Sequence, residues 1–235
     1  MRPQLKKFME AIGKDAIAII PAAHEVTRSY DAEYKFCQDR DFLYLTGFPE
    51  PDAIAVIAPG NKKNPYTLFV RPRDPEMETW YGRREGVEGA KKNYGVDKAL
   101  PIEKFASEFG KLLDGHDKLY YRFGRYESLD AQLLKYFSTQ RYRRLKTAYP
   151  PHTIIDPTLL IGEMRLHKTP EEVALMQKAG DIAAEAHILA MQNCQAGMNE
   201  AQIESIIEHH FRMSGAGGAA YNSIIGGGDN ATILH

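Results

Sequence analysis

Two stretches of the 235-residue chain combine chemically useful residue types with spacings that could hold a ligand. In Gly226-Gly227-Gly228-Asp229-Asn230-Ala231-Thr232-Ile233-Leu234-His235 a glycine turn leads into an apolar run that closes on a histidine. Glycine lets backbone approach a ligand closely, and an imidazole at a strand end can donate to a carbonyl or stabilise a developing oxyanion. In Thr79-Trp80-Tyr81-Gly82-Arg83-Arg84 the only tryptophan stands in a polar loop beside paired arginines. Indole stacking together with carboxylate pairing suits that loop to gripping a peptide or a neighbouring subunit. Each stretch also has a plainer reading: a structural histidine, and a loop pinned by its own aromatic.

Other combinations carry less. Glu200, Glu204, Glu208 and His209 lie a turn apart on one helix, as metal ligands would. That helix turns Ile203, Ile206, Ile207 and Phe211 inward, so the acidic row is expected to face water. Gly215-Ala216-Gly217-Gly218-Ala219-Ala220 has the spacing of a dinucleotide fingerprint, but it follows a helix where that fingerprint needs a strand before it. It reads as a helix stop and connector. Arg141, Arg143, Arg144 and Lys146 cluster near a helix end without interleaved aromatics and read as a solvated terminus. No nucleophile with an adjacent general base can be picked out from spacing alone.

The elements that position these residues divide at Glu163-Met164-Arg165-Leu166-His167-Lys168-Thr169-Pro170-Glu171-Glu172. Thr169 and Glu172 have the spacing of a capping box, with Pro170 at the first helical position. Behind them Leu175, Ala179, Ile182, Ala186 and Leu189 form a helical apolar stripe. A second helix is predicted after the cap Asn199, with Gly215 beyond its end, followed by strands over Tyr221-Asn222-Ser223-Ile224-Ile225 and Ala231 to His235. Before the junction a helix is predicted over Met1 to Ile12, and strands over Ala16 to Ile20, Phe42 to Thr46, Ala53 to Ala58, Tyr66 to Val70 and Lys118 to Phe123. Tight turns between the second, third and fourth of these strands favour antiparallel neighbours. Helices opened by Pro101 and marked by Leu129, Leu133, Leu134 and Phe137 then alternate with strand, which predicts at least one parallel crossover. The expected architecture is a mixed-sheet α/β domain over residues 1–166 and the start of a second, α+β domain over 167–235. A chain stopping just after an apolar run is expected to be a fragment of a longer fold, in which the stripe from Leu175 to Leu189 packs only partly.

Composition bounds the partners. Lys plus Arg (30) balance Asp plus Glu (31), which gives no electrostatic reason to expect nucleic acid or an anionic membrane. Cys37 and Cys194 lie far apart without metal-ligand spacing, as in a reducing compartment, and are expected to pack. The apolar run Ala16 to Ala23 is too short for a membrane span and is broken by Pro21, so a cytoplasmic location is expected.

Several of these motifs together resemble the bacterial Xaa-Pro aminopeptidase (aminopeptidase P) family. Asp41-Phe42-Leu43-Tyr44-Leu45-Thr46-Gly47-Phe48 resembles the [SN]-D-F-x-Y-L-T-G-F run of creatinase-like N-terminal domains, with Arg40 where that pattern has Ser or Asn. Trp80-Tyr81-Gly82-Arg83-Arg84 resembles the W-x-G-R-R loop of the aminopeptidase P branch. Glu163-Met164-Arg165 with Lys168-Thr169-Pro170-Glu171-Glu172 is similar to the opening of the catalytic domain, and Tyr221 to Gly228 with Asn230-Ala231 and Leu234-His235 to the segment carrying the first active-site histidine.

The resemblance implies a creatinase-like N-terminal domain followed by the start of a pita-bread domain, a fold shared with prolidase, creatinase and methionine aminopeptidase. It implies hydrolysis of the bond between an N-terminal residue and a following proline, by two divalent metals, usually manganese, that share a bridging hydroxide. The family's five ligands, two aspartates, one histidine and two glutamates, would all lie beyond His235, so this segment alone is expected to bind no metal pair and to be inactive. His235 would correspond to the substrate-binding histidine, and Trp80 to an aromatic that reaches the active site of another subunit in tetrameric members. Arg83 and Arg84 have weaker claims. The implied partners are peptides beginning Xaa-Pro and further copies of the chain in a homo-oligomer. The alternatives are a prolidase, which takes only dipeptides, and a non-catalytic oligomerisation or peptide-binding module.

Overall fold

The computed structural model describes residues 1–140 and 149–234, which divide into two units, Met1–Arg165 and Leu166–His235. The first runs through α1 (Pro3–Ile12), β1 (Ala16–Pro21), a small hairpin of β2 (Thr27–Ser29) and β3 (Ala32–Glu33), α2 (Arg40–Thr46), β4 (Ile54–Ile57) and β5 (Tyr66–Val70). It continues with α3 (Pro75–Tyr81), α4 (Gly86–Tyr94), β6 (Lys98–Pro101), α5 (Phe105–Leu113), β7 (Lys118–Tyr120), α6 (Glu127–Gln140), β8 (Thr153–Ile155) and α7 (Thr158–Leu166).

Six of these strands form one sheet in the order β6-β5-β4-β1-β7-β8. β4 is antiparallel to β1 and β5, whereas β5 with β6, β1 with β7 and β7 with β8 are parallel. The sheet is therefore mixed, as expected, and helices lie in its parallel crossovers. Strand alternation sends Ala16, Ala18 and Ile20 to one face and Ile17 and Ile19 to the other. The first face is covered by Leu5, Phe8 and Ile12 of α1, Phe42 and Leu45 of α2 and Ile161 of α7. The second is covered by Phe105, Phe109 and Leu113 of α5 with Leu129 and Leu133 of α6. Burial on both faces is why β1 reads as an unbroken apolar run rather than an alternating one.

Phe42 to Thr46 is a helix, not the expected strand. Asp39 accepts the N–H groups of Asp41 (3.0 Å) and Phe42 (2.9 Å), and Gly47, left-handed at φ 70°, donates to the Leu43 carbonyl at 2.8 Å. A five-residue run of four apolar side chains and a threonine fits either period, and the caps at both ends decide the matter. Phe42 and Leu45 point inward while Leu43 is exposed, a helical spacing. The strand expected up to Phe123 ends at Tyr120, and the helix expected from Pro101 begins, after a short 3-10 turn, at Phe105, because Pro101 itself closes β6. The polar stretch from Arg73 to Gly95, which includes the loop expected around Trp80, holds α3 and α4.

The second unit is built on α8 (Pro170–Asn193) and α9 (Glu200–Met213). Both open on capping boxes, Thr169 with Glu172 and Asn199 with Gln202. Ala186 and Ala190 of α8 pack against Ile207, with Ile203, Phe211 and Ile225 around them. The remainder of the α8 stripe is largely uncovered: Leu175 is 69% exposed. Among the described residues neither expected strand of this unit forms. Tyr221 to Ile225 is irregular and Gly228–Thr232 is a 3-10 turn. A strand exists only where its N–H and C=O groups meet another strand, and the described residues of this unit contain none. Both cysteines are exposed free thiols rather than packed ones.

Candidate functional site

The tryptophan stretch forms α3 rather than a loop. Asp74 accepts the N–H groups of Glu76 (3.1 Å) and Met77 (3.2 Å), and Pro75 occupies the first turn, where its missing donor costs nothing. No residue of α3 is buried, and Trp80 is 80% exposed. The indole therefore buries little against its own segment. The helix is held at its base instead. Arg73 donates from Nε and Nη2 to the two Glu78 oxygens, each at 2.6 Å, and the Arg84 N–H donates to Glu78 Oε1 at 3.3 Å. The fork from Arg73, helped by the Arg84 N–H, holds the Glu78 carboxyl down to about 2. Gly82 at φ 86° turns the chain from α3 toward Arg83 and Arg84.

Beneath this helix lies an open cleft of about 1040 Å³, walled by Pro49, Pro51, Pro72 and Tyr81 and carrying charges of both signs. Most of those charges are matched. Arg71 pairs with Glu25 at 3.2 Å, and Glu50 Oε1 accepts the Glu85 N–H at 2.6 Å. Glu85 accepts from Asn93 at 2.8 Å. Burial pushes the Glu50 carboxyl up, against the pull of the Glu85 N–H and of Arg71 and Arg84. The two arginines after Gly82 differ from the rest. Arg84 has a single long side-chain bond, Nη1 to the Pro72 carbonyl at 3.4 Å, and exposed Arg83 has no partner among the described residues.

The glycine turn of the second unit is tied down by Glu200, whose Oε1 accepts the Gly227 N–H at 2.7 Å and Asn230 Nδ2 at 2.9 Å. These bonds, that from Asn230 first, lower the Glu200 pKa. Glu208 accepts from Ser223 at 3.3 Å. The acidic row of α9 thus spends two carboxylates on the segment from Ser223 to Asn230 rather than on water alone. His235, and the basic cluster Arg141, Arg143, Arg144 and Lys146, lie outside the described residues. Among the described residues no group of three His, Cys, Asp or Glu side chains could hold a metal ion, and no helix is long and apolar enough to cross a membrane.

Sequence reasoning singled out Trp80 but missed the Arg73–Glu78 fork beneath it. Asp74-Pro75 was the available signal, since a capping residue followed by proline is a helix start that places Glu78 one turn on.

Comparison with known proteins places these features in a family. The model for the aminopeptidase P N-terminal domain matches residues 2–120, and that for metallopeptidase family M24 matches residues 174–235. The Xaa-Pro aminopeptidase of Escherichia coli is 40% identical over 229 residues, covering 97% of this chain and 52% of the relative. That of Haemophilus influenzae is 40% identical over 216 residues, covering 90% of this chain and 46% of the relative. Among solved structures, Pseudomonas aeruginosa aminopeptidase PepP superposes with a TM-score of 0.93 at 40% identity, over 99% of this chain and 52% of that one. E. coli aminopeptidase P does so with a TM-score of 0.92 at 39% identity, over 99% and 53%. The chain spans about half the length of the relatives it matches. With both family models in sequence order and the mixed sheet in common, the chain belongs to the aminopeptidase P family.

Proposed function

We propose that the whole protein is a metallo-aminopeptidase that releases the first residue from peptides with proline in second position. The observation that carries this reading is the pair of family matches in order, over residues 2–120 and 174–235, joined to 40% identity with an Xaa-Pro aminopeptidase along 97% of the chain. The chemistry agrees with the need for a dedicated enzyme. An Xaa-Pro bond is a tertiary amide without an N–H and with a fixed ring, so a pocket matched to its shape must replace the usual backbone grip.

Two divalent ions, which we propose to be manganese, would supply an activated hydroxide and polarise the scissile carbonyl. The described residues do not fit that pair, since no three ligating side chains converge. No metal is assigned to this chain, and the chain by itself is proposed to cleave nothing. Its own contributions would be His235, donating to the substrate carbonyl, and Trp80, presenting an aromatic plane to a peptide bound by another copy. The 80% exposure of Trp80 on a helix pinned by other residues supports that role. A cytoplasmic homo-oligomer completes the proposal.

The test is release of the first residue from an Xaa-Pro-Xaa tripeptide, with and without manganese, by the whole protein and by this chain. Metal-dependent cleavage by the whole protein alone is expected. Cleavage by the 235-residue chain would overturn its assigned inactivity, and a whole protein that takes only the Xaa-Pro dipeptide would be a prolidase.

A further inference from the structure

We propose that the cleft beneath α3 binds the C-terminal carboxylate of a short peptide, with the guanidinium groups of Arg83 and Arg84 as its receptor. That the ligand is a peptide rests on the function proposed above. The receptor is argued from the cleft itself.

Of the four arginines lining the cleft, Arg71 is matched by Glu25 and Arg73 by Glu78. Among the described residues neither Arg83 nor Arg84 forms a salt bridge with a carboxylate, the charge of Arg84 acting on Glu50 only at longer range, and they sit side by side after the Gly82 turn at the cleft wall. The Arg84 backbone is fixed through its N–H to Glu78, so its side chain is presented from a held position rather than a free tail. Guanidinium groups pair with carboxylates in a planar, two-bond geometry that suits a chain terminus.

The walls favour a peptide over a simple anion. Pro49, Pro51, Pro72 and Tyr81 offer flat apolar faces for side chains or a pyrrolidine ring. Glu25, Glu50, Glu85 and Glu88 also line the cleft, and their charge opposes a compact dianion such as phosphate. A zwitterionic peptide answers both signs, its carboxylate on the arginines and its ammonium on the lining glutamates. The volume of about 1040 Å³ accommodates a few residues.

The experiment is an NMR titration of this chain, following backbone and arginine Nε signals, with Ala-Pro-Ala as the free acid, Ala-Pro-Ala as the C-terminal amide, and inorganic phosphate. Saturable shifts at Arg83, Arg84 and their cleft neighbours are expected with the free acid, at least tenfold weaker binding with the amide, and weaker binding again with phosphate. Arg83→Gln and Arg84→Gln, each with unchanged circular dichroism, are expected to weaken the free acid about tenfold to a hundredfold, the range of one charge-assisted pair. Equal binding of acid and amide would overturn the proposal, as would phosphate binding as tightly as the free acid, or no shifts in the cleft. Binding here requires no catalysis, so its failure leaves the aminopeptidase reading standing, and loss of cleavage by the whole protein leaves a carboxylate site standing.

Discussion

Arg73 holds Glu78 by two of its guanidinium nitrogens, Nε and Nη2, each at 2.6 Å, and this fork, rather than any apolar burial, fixes the helix that carries Trp80. The relationship is local in sequence yet invisible to periodicity, because the helix it stabilises has no apolar face to bury.

The fork should respond to acid in a defined direction. The Glu78 carboxyl titrates at about 2 against an ordinary 4.5, so as pH falls the released state takes up the proton first. The fork's contribution is thus whole above pH 4.5 and disappears as pH falls toward 2. Trp80 is the only tryptophan, so its fluorescence anisotropy reports this helix directly. Anisotropy is expected to fall across that window, and Glu78→Gln to show the lower value already at neutral pH. Unchanged anisotropy in the variant would mean that something other than the fork holds α3.

Trp80→Ala should separate stability from function. A side chain 80% exposed contributes little to folding, and urea denaturation is expected to move by no more than about 0.5 kcal/mol. If Trp80 serves a peptide site, kcat/KM of the whole protein on an Xaa-Pro tripeptide falls about tenfold or more. A shift in stability with unaltered kinetics would return Trp80 to a structural role.

Asp39 caps α2 and also pairs with Arg125 at 2.7 Å. Asp39→Ala is expected to cost about 1–3 kcal/mol in urea denaturation, whereas Asp39→Asn keeps the cap and loses under about 1 kcal/mol, since Arg125 is partly solvated. Equal losses in the two variants would put the weight on the ion pair instead.

Thr169→Ala removes the side-chain half of the capping box that opens α8, where Thr169 accepts the Glu172 N–H at 3.3 Å and its own N–H donates to Glu172 at 2.8 Å. Loss of about 0.5–2 kcal/mol from the first turn is expected, read as faster amide exchange from Glu171 to Val173, with Thr169→Ser restoring protection. Exchange unchanged in the alanine variant would show that the turn is held from elsewhere.

Local chemistry made much of this protein legible from sequence. The capping box at Thr169 and the cap at Asn199 depend on residues within one turn, and both appear in the structure, where Gln202 makes the second a box as well. The apolar runs of β1, β4 and β5 announced themselves as strands because burial of both sheet faces demands unbroken apolar sequence. The family motifs lie in contiguous residues and needed no fold to be seen.

What tertiary structure alone decided were the features set by partners distant in sequence. Phe42 to Thr46 carries a pattern that fits strand or helix, and the helical outcome places Phe42 and Leu45 against the sheet while Tyr44 donates to the Met164 carbonyl at 3.0 Å, 120 residues away. Tyr221 to Ile225 has strand-forming residues but pairs with no strand among the described residues, and a strand has no hydrogen bonds of its own. The cleft beneath α3 gathers Glu25, Pro49, Arg71 and Arg84 from separate loops. Spacing along the chain records local hydrogen bonds and periodic burial. Which charges meet, and which are left without a partner, is settled only when the sheet brings those loops together.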